Sequence, residues 1–239
     1  MIGFRICQRE RTVELDLVEK FKTIPVANIS DMISRMAAGG PRLRPMHAGG
    51  AMAGAALTVK TRPGDNLMVH KALDMAVTGD VVVVDAGGDL TNSIMGEIML
   101  AHAANRGVGG IVINGSVRDC AAIRRSALPV FAAGVTHRGP YKDGPGEINV
   151  PIAIDGMLIA PGDLVAGDDD GVVSVPLDDA EAVYRAAYAK HELELVQLDG
   201  ASDGTLDRSW VDETLRRLGC EMESCAAIAA QGNRRRVEP

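Results

Sequence analysis

The chain has 239 residues, of which 46% are hydrophobic and 24% are charged, as is usual for one globular domain with a sizeable core. Only 3% of the residues are aromatic and the net charge is −7, so the stacking side chains and positive surface of a nucleic-acid-binding protein are not expected. Apolar runs fall short of the roughly 20 residues that cross a bilayer and charges come too early for a secretory signal peptide, which predicts a cytoplasmic protein without a membrane partner.

The first half of the chain predicts helices that alternate with buried strands. Residues 12–22 have the apolar spacing of a helix, and Ser30 is the expected N-cap of a second helix that ends at Gly39. Four successive valines at 81–84 have no polar face and predict a strand buried on both sides. The remaining predicted elements of this half are a strand at 55–61, a turn at 63–65, a helix over 68–76, a helix over 98–104 and a strand at 111–113.

The second half predicts shorter strands and then helices. A short helix at 120–126 and a strand at 130–132 precede a loop at 134–147 that is rich in Gly and Pro. Tight turns separate four further apolar segments, which predicts antiparallel strands at 150–154, 157–159, 164–166 and 172–175. A helix follows over 177–198, with a polar linker at 199–207 and more helix after Ser209. We therefore expect a mixed α/β domain at 1–198 and a helical extension at 199–239.

The residues best suited to chemistry lie at the end of one predicted strand and at the start of the helix before it. Arg118 and Asp119 follow the strand at 111–113, at the edge where α/β sheets place their ligands. The preceding helix returns Glu97 to that same edge. An adjacent arginine and aspartate are more often a surface ion pair than a site, and the short loop at 115–117 favours the site. For the helix start itself, Asn92 or Ser93 is the obvious N-cap, and Gly96 is the alternative.

Several motifs in the same order resemble the RraA-like family, which includes the 4-hydroxy-4-methyl-2-oxoglutarate and 4-carboxy-4-hydroxy-2-oxoadipate aldolases, class II pyruvate aldolases. The resemblance covers about residues 23–180. Its motifs are PGD before a helix, MGEIMLAHAANRGVGGIVINGSVRD, PVFAAG and GEINVPIAIDGMLIAPGDLVAGDDDGVVSVP. The family resemblance implies a swivelling β/β/α domain with a mixed sheet, assembled as a homotrimer or hexamer with its sites between subunits.

The resemblance also implies roles for individual residues. Asp119 would ligate a divalent cation, Mg²⁺ or Mn²⁺, and Arg118 would hold the small 2-oxo acid substrate. One direct carboxylate is adequate for such a hard cation because Mg²⁺ keeps several waters. Main-chain amides of the stretch Gly96, Glu97, Ile98 and Met99 would bind the substrate carboxylate, as suits free amides at a helix start. Glu97 is our candidate for holding the water that transfers protons.

Related aldolases use a further acid from a neighbouring subunit. The matching position falls in or near HisGluLeuGluLeu, so Glu192 and Glu194 are both possible assignments. The activity implied by the resemblance is cleavage of a branched 4-hydroxy-2-oxo diacid to pyruvate, with oxaloacetate decarboxylation as a companion reaction. Two alternatives remain open: a sugar-derived 2-oxo acid as substrate, and a non-catalytic RraA-type regulator of ribonuclease activity.

Other features favour ordinary structural roles. The acidic run at 168–170 lacks the full pattern of a calcium-binding loop and predicts a β-turn. His70 and His102 fall on predicted helices, and His137 could border the pocket. The cysteines, Cys7, Cys120, Cys220 and Cys225, have neither zinc-site pairs nor a disulfide framework and are expected to be reduced thiols. The arginines at 234–236 are expected to form a solvated tail.

Overall fold

The computed structural model describes residues 2–37 and 39–221. Cys225 and the arginines at 234–236 lie outside the described residues. The strands are β1 Phe4–Ile6, β2 Arg44–Pro45, β3 Met52–Thr61, β4 Val81–Asp85, β5 Ser93–Met95, β6 Gly110–Val117, β7 Val130–Val135, β8 Gly146–Ile148, β9 Ile152–Ile154, β10 Met157–Ile159, β11 Leu164–Asp168 and β12 Gly171–Val175. The helices are α1 Leu15–Phe21, α2 Val26–Met32, α3 Leu67–Met75, α4 Glu97–Asn105, α5 Cys120–Arg125, α6 Ala180–Asp203 and α7 Ser209–Arg217, with a 3₁₀ turn at Leu177–Asp179.

A parallel array of four strands, β3, β4, β6 and β7, forms the centre of a mixed sheet. The valine strand β4 lies between β3 and β6, and its four valines have no exposed surface. A strand covered on both faces needs no polar side, which is why the sequence shows an uninterrupted β-branched run. The predicted mixed α/β fold with a mixed sheet is confirmed.

Antiparallel pairing completes the sheet and adds a hairpin. β11 pairs antiparallel with β12 and with β3, while β9 and β10 form a separate two-stranded sheet. The acidic run ends β11 and turns into β12, where Asp168 pairs with Gly171. The β-turn predicted for 168–170 is therefore confirmed.

Helices cover the two sides of the sheet with separate apolar clusters. α3 and α4 pack on the parallel strands through residues such as Leu73, Leu100 and Ala103. α1, α2 and the first turns of α6 pack against β3, β11 and β12 through Phe21, Ile29 and neighbouring small residues. Burial of these side chains is the main stabilising contribution to the fold.

Three local predictions are wrong. Ser30 is not an N-cap, because α2 begins at Val26 with Pro25 in the capping position; proline is favoured at a helix start, where no N–H is needed. Residues 115–117 are not a loop, since β6 continues to Val117 and pairs with β5 and β7. Asn92 and Ser93 do not cap α4, because residues 93–95 form β5 and Gly96 is the N-cap.

The described residues separate into two compact units, with the boundary between His191 and Glu192. Helix α6 continues to Asp203, so the predicted linker at 199–207 is helical over its first half. The boundary that we expect at 198/199 stays a prediction. In the second unit, α7 carries its apolar residues on one face. Among the described helices, none has both the length and the apolar character of a membrane span.

Candidate active site

The site forms where two parallel strands end side by side. β5 and β6 are paired in parallel, with Met95 opposite Val117. The Arg118 N–H donates to the Met95 carbonyl at 2.9 Å, which continues the pairing by one residue. Parallel strands finish at the same edge of a sheet, so Gly96 and Arg118 leave the sheet next to each other.

Asp119 joins the two strand ends. Its carboxylate Oδ2 accepts a hydrogen bond from the Glu97 N–H at 2.8 Å. The residue has a left-handed backbone, with φ 59° and ψ 39°, a conformation that costs a non-glycine residue free energy and that aspartate tolerates better than most. This backbone places the acid at the start of α5 while its side chain reaches the start of α4.

Gly96 makes room for that carboxylate. A Cβ built on Gly96 would lie 2.4 Å from Asp119 Oδ2 and 3.0 Å from Arg118 Nε. The backbone of Gly96 is extended, with φ −145°, so it is the close approach of the acid, and not the backbone conformation, that requires glycine. Any larger residue must push the Arg118 and Asp119 side chains away.

Arg118 and Asp119 are a loose pair that leaves both groups accessible. The Arg118 Nε lies 3.7 Å from Asp119 Oδ2, and the two side chains are 43% and 41% exposed. An ion pair this exposed contributes little to folding stability. The guanidinium fork and a carboxylate oxygen are therefore available to a ligand at the sheet edge.

The first turn of α4 supplies main-chain donors beside the pair. The first hydrogen bond within the helix runs from the Leu100 N–H to the Gly96 carbonyl, at 3.0 Å. The amides that precede Leu100 have no acceptor inside the helix. That of Glu97 donates to Asp119, while those of Ile98 and Met99 belong to the same turn. Helix-start amides of this kind suit an anionic group.

The predicted residues line one small cavity of about 130 Å³. Gly96, Glu97, Ile98, Met99, Arg118 and Asp119 all contribute to its wall. The structure therefore brings together the residues that were predicted to bind substrate and metal. The strand β5, the start of α3 and the loop after β7 form the rest of the wall. The last two add Asn66, His70, Pro140 and Lys142, which the sequence did not single out as site residues.

Hydrogen bonds hold the predicted Gly- and Pro-rich loop in a defined position over this cavity. The Asp65 carboxylate, completely buried, accepts from the Asp143 N–H at 2.7 Å and the Gly144 N–H at 2.9 Å. The Asn66 N–H donates to the Tyr141 carbonyl at 3.0 Å. Lys142 lies between these anchored residues. No local sequence signal reveals this arrangement, because the partners are more than 70 positions apart.

Asn66 itself connects the two elements that carry the substrate-binding stretch. Its side-chain amide donates to the Ile94 carbonyl of β5 at 2.9 Å and to the Met99 sulfur of α4 at 3.2 Å. Asn66 is only 3% exposed. It therefore contributes to the orientation of the chain between Ile94 and Met99.

The surroundings of His70 disfavour its protonated form. Partial burial lowers the pKa of the imidazole below its usual range, and the positive charge of Lys142 lowers this pKa further. Asp74 opposes these effects and His102 adds to them. At neutral pH the fixed positive charges of the cavity wall are accordingly those of Lys142 and Arg118.

A second, more open recess of about 420 Å³ lies on the other side of the Arg118–Asp119 pair. Cys120, Thr136 and His137 line it. His137, predicted to border the pocket, is thus beside Asp119 but outside the smaller cavity. Cys7, Cys120 and Cys220 are free thiols among the described residues.

The donor set at the cavity fits a hard divalent cation held mainly by water and substrate. Within residues 2–37 and 39–221, no group of three or more His, Cys, Asp or Glu side chains forms a closed metal site. Asp119 offers one accessible carboxylate oxygen, with the exposed Glu97 nearby. Mg²⁺ and Mn²⁺ accept oxygen donors and need only one or two carboxylates.

Glu192 and Glu194 lie on α6, and their role as a neighbouring subunit's acid stays a prediction.

The fold and site together define a class of protein: a mixed α/β domain in which the start of a helix adjoins an Arg-Asp pair at the edge of a parallel sheet. Comparison with known proteins agrees with this. The chain belongs to the RraA-like family, since the family model described as Aldolase/RraA matches residues 26–174.

Similar proteins carry different descriptions. A Halalkalibacterium halodurans protein named "Putative 4-hydroxy-4-methyl-2-oxoglutarate aldolase" is 40% identical over 177 residues, which is 74% of this chain and 84% of that protein. A crystal structure of an uncharacterized Pseudomonas syringae protein has a TM-score of 0.73 at 26% identity, covering 81% of this chain and 95% of its own. Streptomyces coelicolor RraAS2, described as an unusual member of the RNase ES inhibitor RraA family, has a TM-score of 0.71 at 26% identity, covering 78% and 97%.

Proposed function

We propose that this protein is a divalent-metal-dependent aldolase that releases pyruvate from 4-hydroxy-2-oxo acids such as 4-hydroxy-4-methyl-2-oxoglutarate, with oxaloacetate decarboxylation as a companion activity. The observation that carries the proposal is the contact between Asp119 and the start of α4, with Gly96 providing the space and Arg118 alongside. A 40% identical relative with an aldolase name supports the same reaction class.

The residues suit the charge that develops in a retro-aldol cleavage. The substrate hydroxyl loses its proton, the C3–C4 bond breaks, a carbonyl forms at C4, and the electron pair passes to C3 as the enolate of pyruvate. The α4 amides and the Arg118 guanidinium bind the 2-oxo acid end, and Arg118 stabilises the enolate oxygen. A cation on Asp119 supplies Lewis-acid stabilisation of the same negative charge. Glu97, exposed at the cavity wall, is our candidate for holding the water that takes the hydroxyl proton and then returns a proton to C3, which gives pyruvate.

The test is pyruvate release measured with lactate dehydrogenase as the coupling enzyme. We expect turnover of 4-hydroxy-4-methyl-2-oxoglutarate and of oxaloacetate with Mg²⁺, and loss of both activities in EDTA. Asp119→Ala should lower turnover by at least about a hundredfold, because charge stabilisation of this kind contributes several kcal/mol. Asp169→Ala, an exposed acid in the turn between β11 and β12, is the control and should leave turnover unchanged. Absence of pyruvate from both compounds with Mg²⁺ and Mn²⁺ contradicts the proposal.

The second candidate function is regulation of a ribonuclease by protein contact, which the likeness to RraAS2 favours. It is tested by adding the protein to an RNase E-type cleavage assay. Inhibition by both the wild type and Asp119→Ala, without pyruvate release, would support regulation. Release of pyruvate without inhibition would eliminate it.

A further inference from the structure

The chain has a segment before the family domain that runs along the sheet beside the site. The family model begins at residue 26, so residues 4–9, here called the N-terminal segment, lie outside the part that it matches. Strand β1 of this segment pairs in parallel with β8, and Arg5 lies opposite Glu147. β8 directly follows the loop at 136–145, here called the site loop, which places Pro140 and Lys142 at the cavity wall.

Strand β8 depends on its neighbours because it has only three residues. It pairs with β3 on one side and with β1 on the other, and β1 is the end strand of the sheet. The Cys7 N–H donates to the Ile148 carbonyl at 3.0 Å, and the Asn149 side-chain amide donates to the Cys7 carbonyl at 3.0 Å. Without β1, β8 would itself be the edge strand, with one side of its backbone unpaired.

Two ion pairs fix the N-terminal segment to the domain. The Arg5 Nε lies 2.7 Å from Glu147 Oε1, and the Glu147 side chain is only 11% exposed. The Arg9 Nη2 lies 2.7 Å from the buried Asp80 Oδ1, while its Nη1 donates to the Ala56 carbonyl at 3.2 Å. A buried carboxylate that loses its cation is strongly destabilised, so both pairs oppose release of the segment.

Phe4 reaches the site loop itself. A Cβ built on Gly144 would lie 3.4 Å from Phe4 Cε2 and 3.7 Å from Leu67 Cδ2, so both side chains adjoin the loop at this point. The Gly144 N–H is one of the two amides that donate to the buried Asp65 carboxylate. Phe4 is 52% exposed, and the covered half of its surface therefore lies where Asp65 anchors the loop.

We propose that the N-terminal segment is a clamp on the site loop, with Phe4 as a positioning residue. Its pairing with β8 and its contact at Gly144 hold Pro140 and Lys142 at the cavity wall. Phe4 and Arg5 do not line the cavity, so they act through the loop. A loop that is already ordered loses less entropy when a ligand binds. The inference rests on the proposed function, since it concerns the same cavity.

Hydrogen exchange followed by mass spectrometry measures the clamp without any ligand. The Asp143 and Gly144 amides are hydrogen-bonded to Asp65 and exchange only when the loop opens. Phe4→Ala should speed exchange in peptides that cover residues 137–145 by about tenfold, because the covered half of a phenylalanine stabilises the closed loop by roughly this factor. Peptides that cover β6 should exchange at the wild-type rate.

Ile2→Ala is the matched control, because Ile2 precedes β1 and is 87% exposed. It should exchange like the wild type. Arg5→Gln should also speed exchange of the site loop, and Arg5→Lys, which keeps the positive charge beside Glu147, should restore slow exchange. Faster exchange confined to β8, with an unchanged loop, would overturn the inference and reduce β1 to a cover for the sheet edge.

Binding of 2-oxoglutarate tests whether the clamp matters to the cavity. This 2-oxo acid lacks the C4 hydroxyl and cannot undergo the retro-aldol cleavage, so it reports binding alone. Calorimetry with Mg²⁺ should show that Phe4→Ala binds it about fivefold more weakly than the wild type and Ile2→Ala do, because the loop must then be ordered on binding. Equal affinity in the three proteins would contradict the clamp.

Turnover separates failure of the clamp from failure of the proposed function. Arg118, Asp119 and the α4 amides belong to other elements, so Phe4→Ala should raise KM for 4-hydroxy-4-methyl-2-oxoglutarate about fivefold and keep kcat within about twofold. General unfolding would lower kcat instead. If the wild type releases no pyruvate, the aldolase proposal fails and hydrogen exchange alone decides the clamp. If it does, and Phe4→Ala matches Ile2→Ala in exchange and KM, the clamp fails and the aldolase stands.

Discussion

At the scale of single residues, the site depends on Gly96, which has no side chain. Asp119 reaches the Glu97 N–H only because Gly96 leaves the space open. The left-handed backbone of Asp119 is the complementary feature, since it turns the acid toward that space. A strained residue and a close backbone approach at one point are typical of functional sites.

The first prediction at this scale concerns Gly96→Ala. The new Cβ would displace the Asp119 carboxylate and the Arg118 guanidinium, and a displacement of about 1 Å in such groups can lower activity about a hundredfold. We expect kcat/KM for pyruvate release to fall by roughly that factor, while thermal unfolding shows a folded protein.

Gly200→Ala serves as its control. Gly200 lies within α6, and the nearest atoms to an added Cβ are at 3.4 Å, so the variant should fold and turn over like the wild type. Full activity in Gly96→Ala would contradict the packing argument and, with it, the importance of the Asp119 contact.

At the scale of elements, the loop after β7 is the least regular part of the site and yet closely held. Asp65 precedes α3 and accepts a hydrogen bond from the Leu67 N–H at 2.9 Å, while its other oxygen accepts hydrogen bonds from two amides of the loop. One buried carboxylate therefore positions both the helix that carries His70 and the loop that carries Lys142. A loop fixed in this way can hold binding residues as precisely as the end of a strand does.

Asp65→Asn tests this connection. The amide group cannot accept all the hydrogen bonds that the carboxylate accepts, and each buried N–H left without an acceptor costs about 1–3 kcal/mol. We expect the free energy of unfolding, measured by urea denaturation, to fall by about 2–3 kcal/mol, and the affinity for 2-oxoglutarate to fall with it.

Asp74→Asn is the control for Asp65→Asn. Asp74 lies on α3, the helix that Asp65 precedes, is 60% exposed and pairs with His102 at 3.0 Å, so little stability depends on it. Stability of Asp65→Asn equal to that of Asp74→Asn would mean that the loop is held by its main-chain bonds alone.

The bounds of the helices and strands also show which local sequence patterns decide secondary structure. The valine strand was predicted correctly because four β-branched residues are decisive by themselves. Ser30 was misassigned because a capping preference is weak beside the apolar contacts of Val26 and Ile29 in the core. Residues 115–117 were assigned to a loop for their glycine and serine, whereas pairing on both sides keeps them in β6.

At the scale of the whole molecule, two exposed apolar side chains adjoin the site. Ile98 is 85% exposed at the cavity wall, and Val135 is 57% exposed in the adjoining recess. Exposed apolar side chains concentrated at one place mark interaction surfaces. This supports the assembly implied by the family resemblance, with sites between subunits.

The prediction at this scale concerns the mass of the assembled protein in solution. Light scattering after size exclusion should give three or six times the chain mass of 25.1 kDa, because closed symmetric assemblies bury such a surface in every copy. Val135→Asp should shift the mass toward that of a single chain. A wild-type mass of one chain at assay concentrations would contradict the assembly.

The sequence by itself determined the mixed α/β class and most strands and helices, and through the family resemblance it predicted the set Gly96–Met99, Arg118 and Asp119. It could do so because buried runs, helical spacing and the ordered motifs of the family are local features of the chain. Only the tertiary structure decided where α4 begins, that Gly96 is required by the Asp119 carboxylate, and that Lys142 and His70 complete the cavity. These facts depend on hydrogen bonds and close contacts between residues 22 to 79 positions apart, which no local pattern encodes.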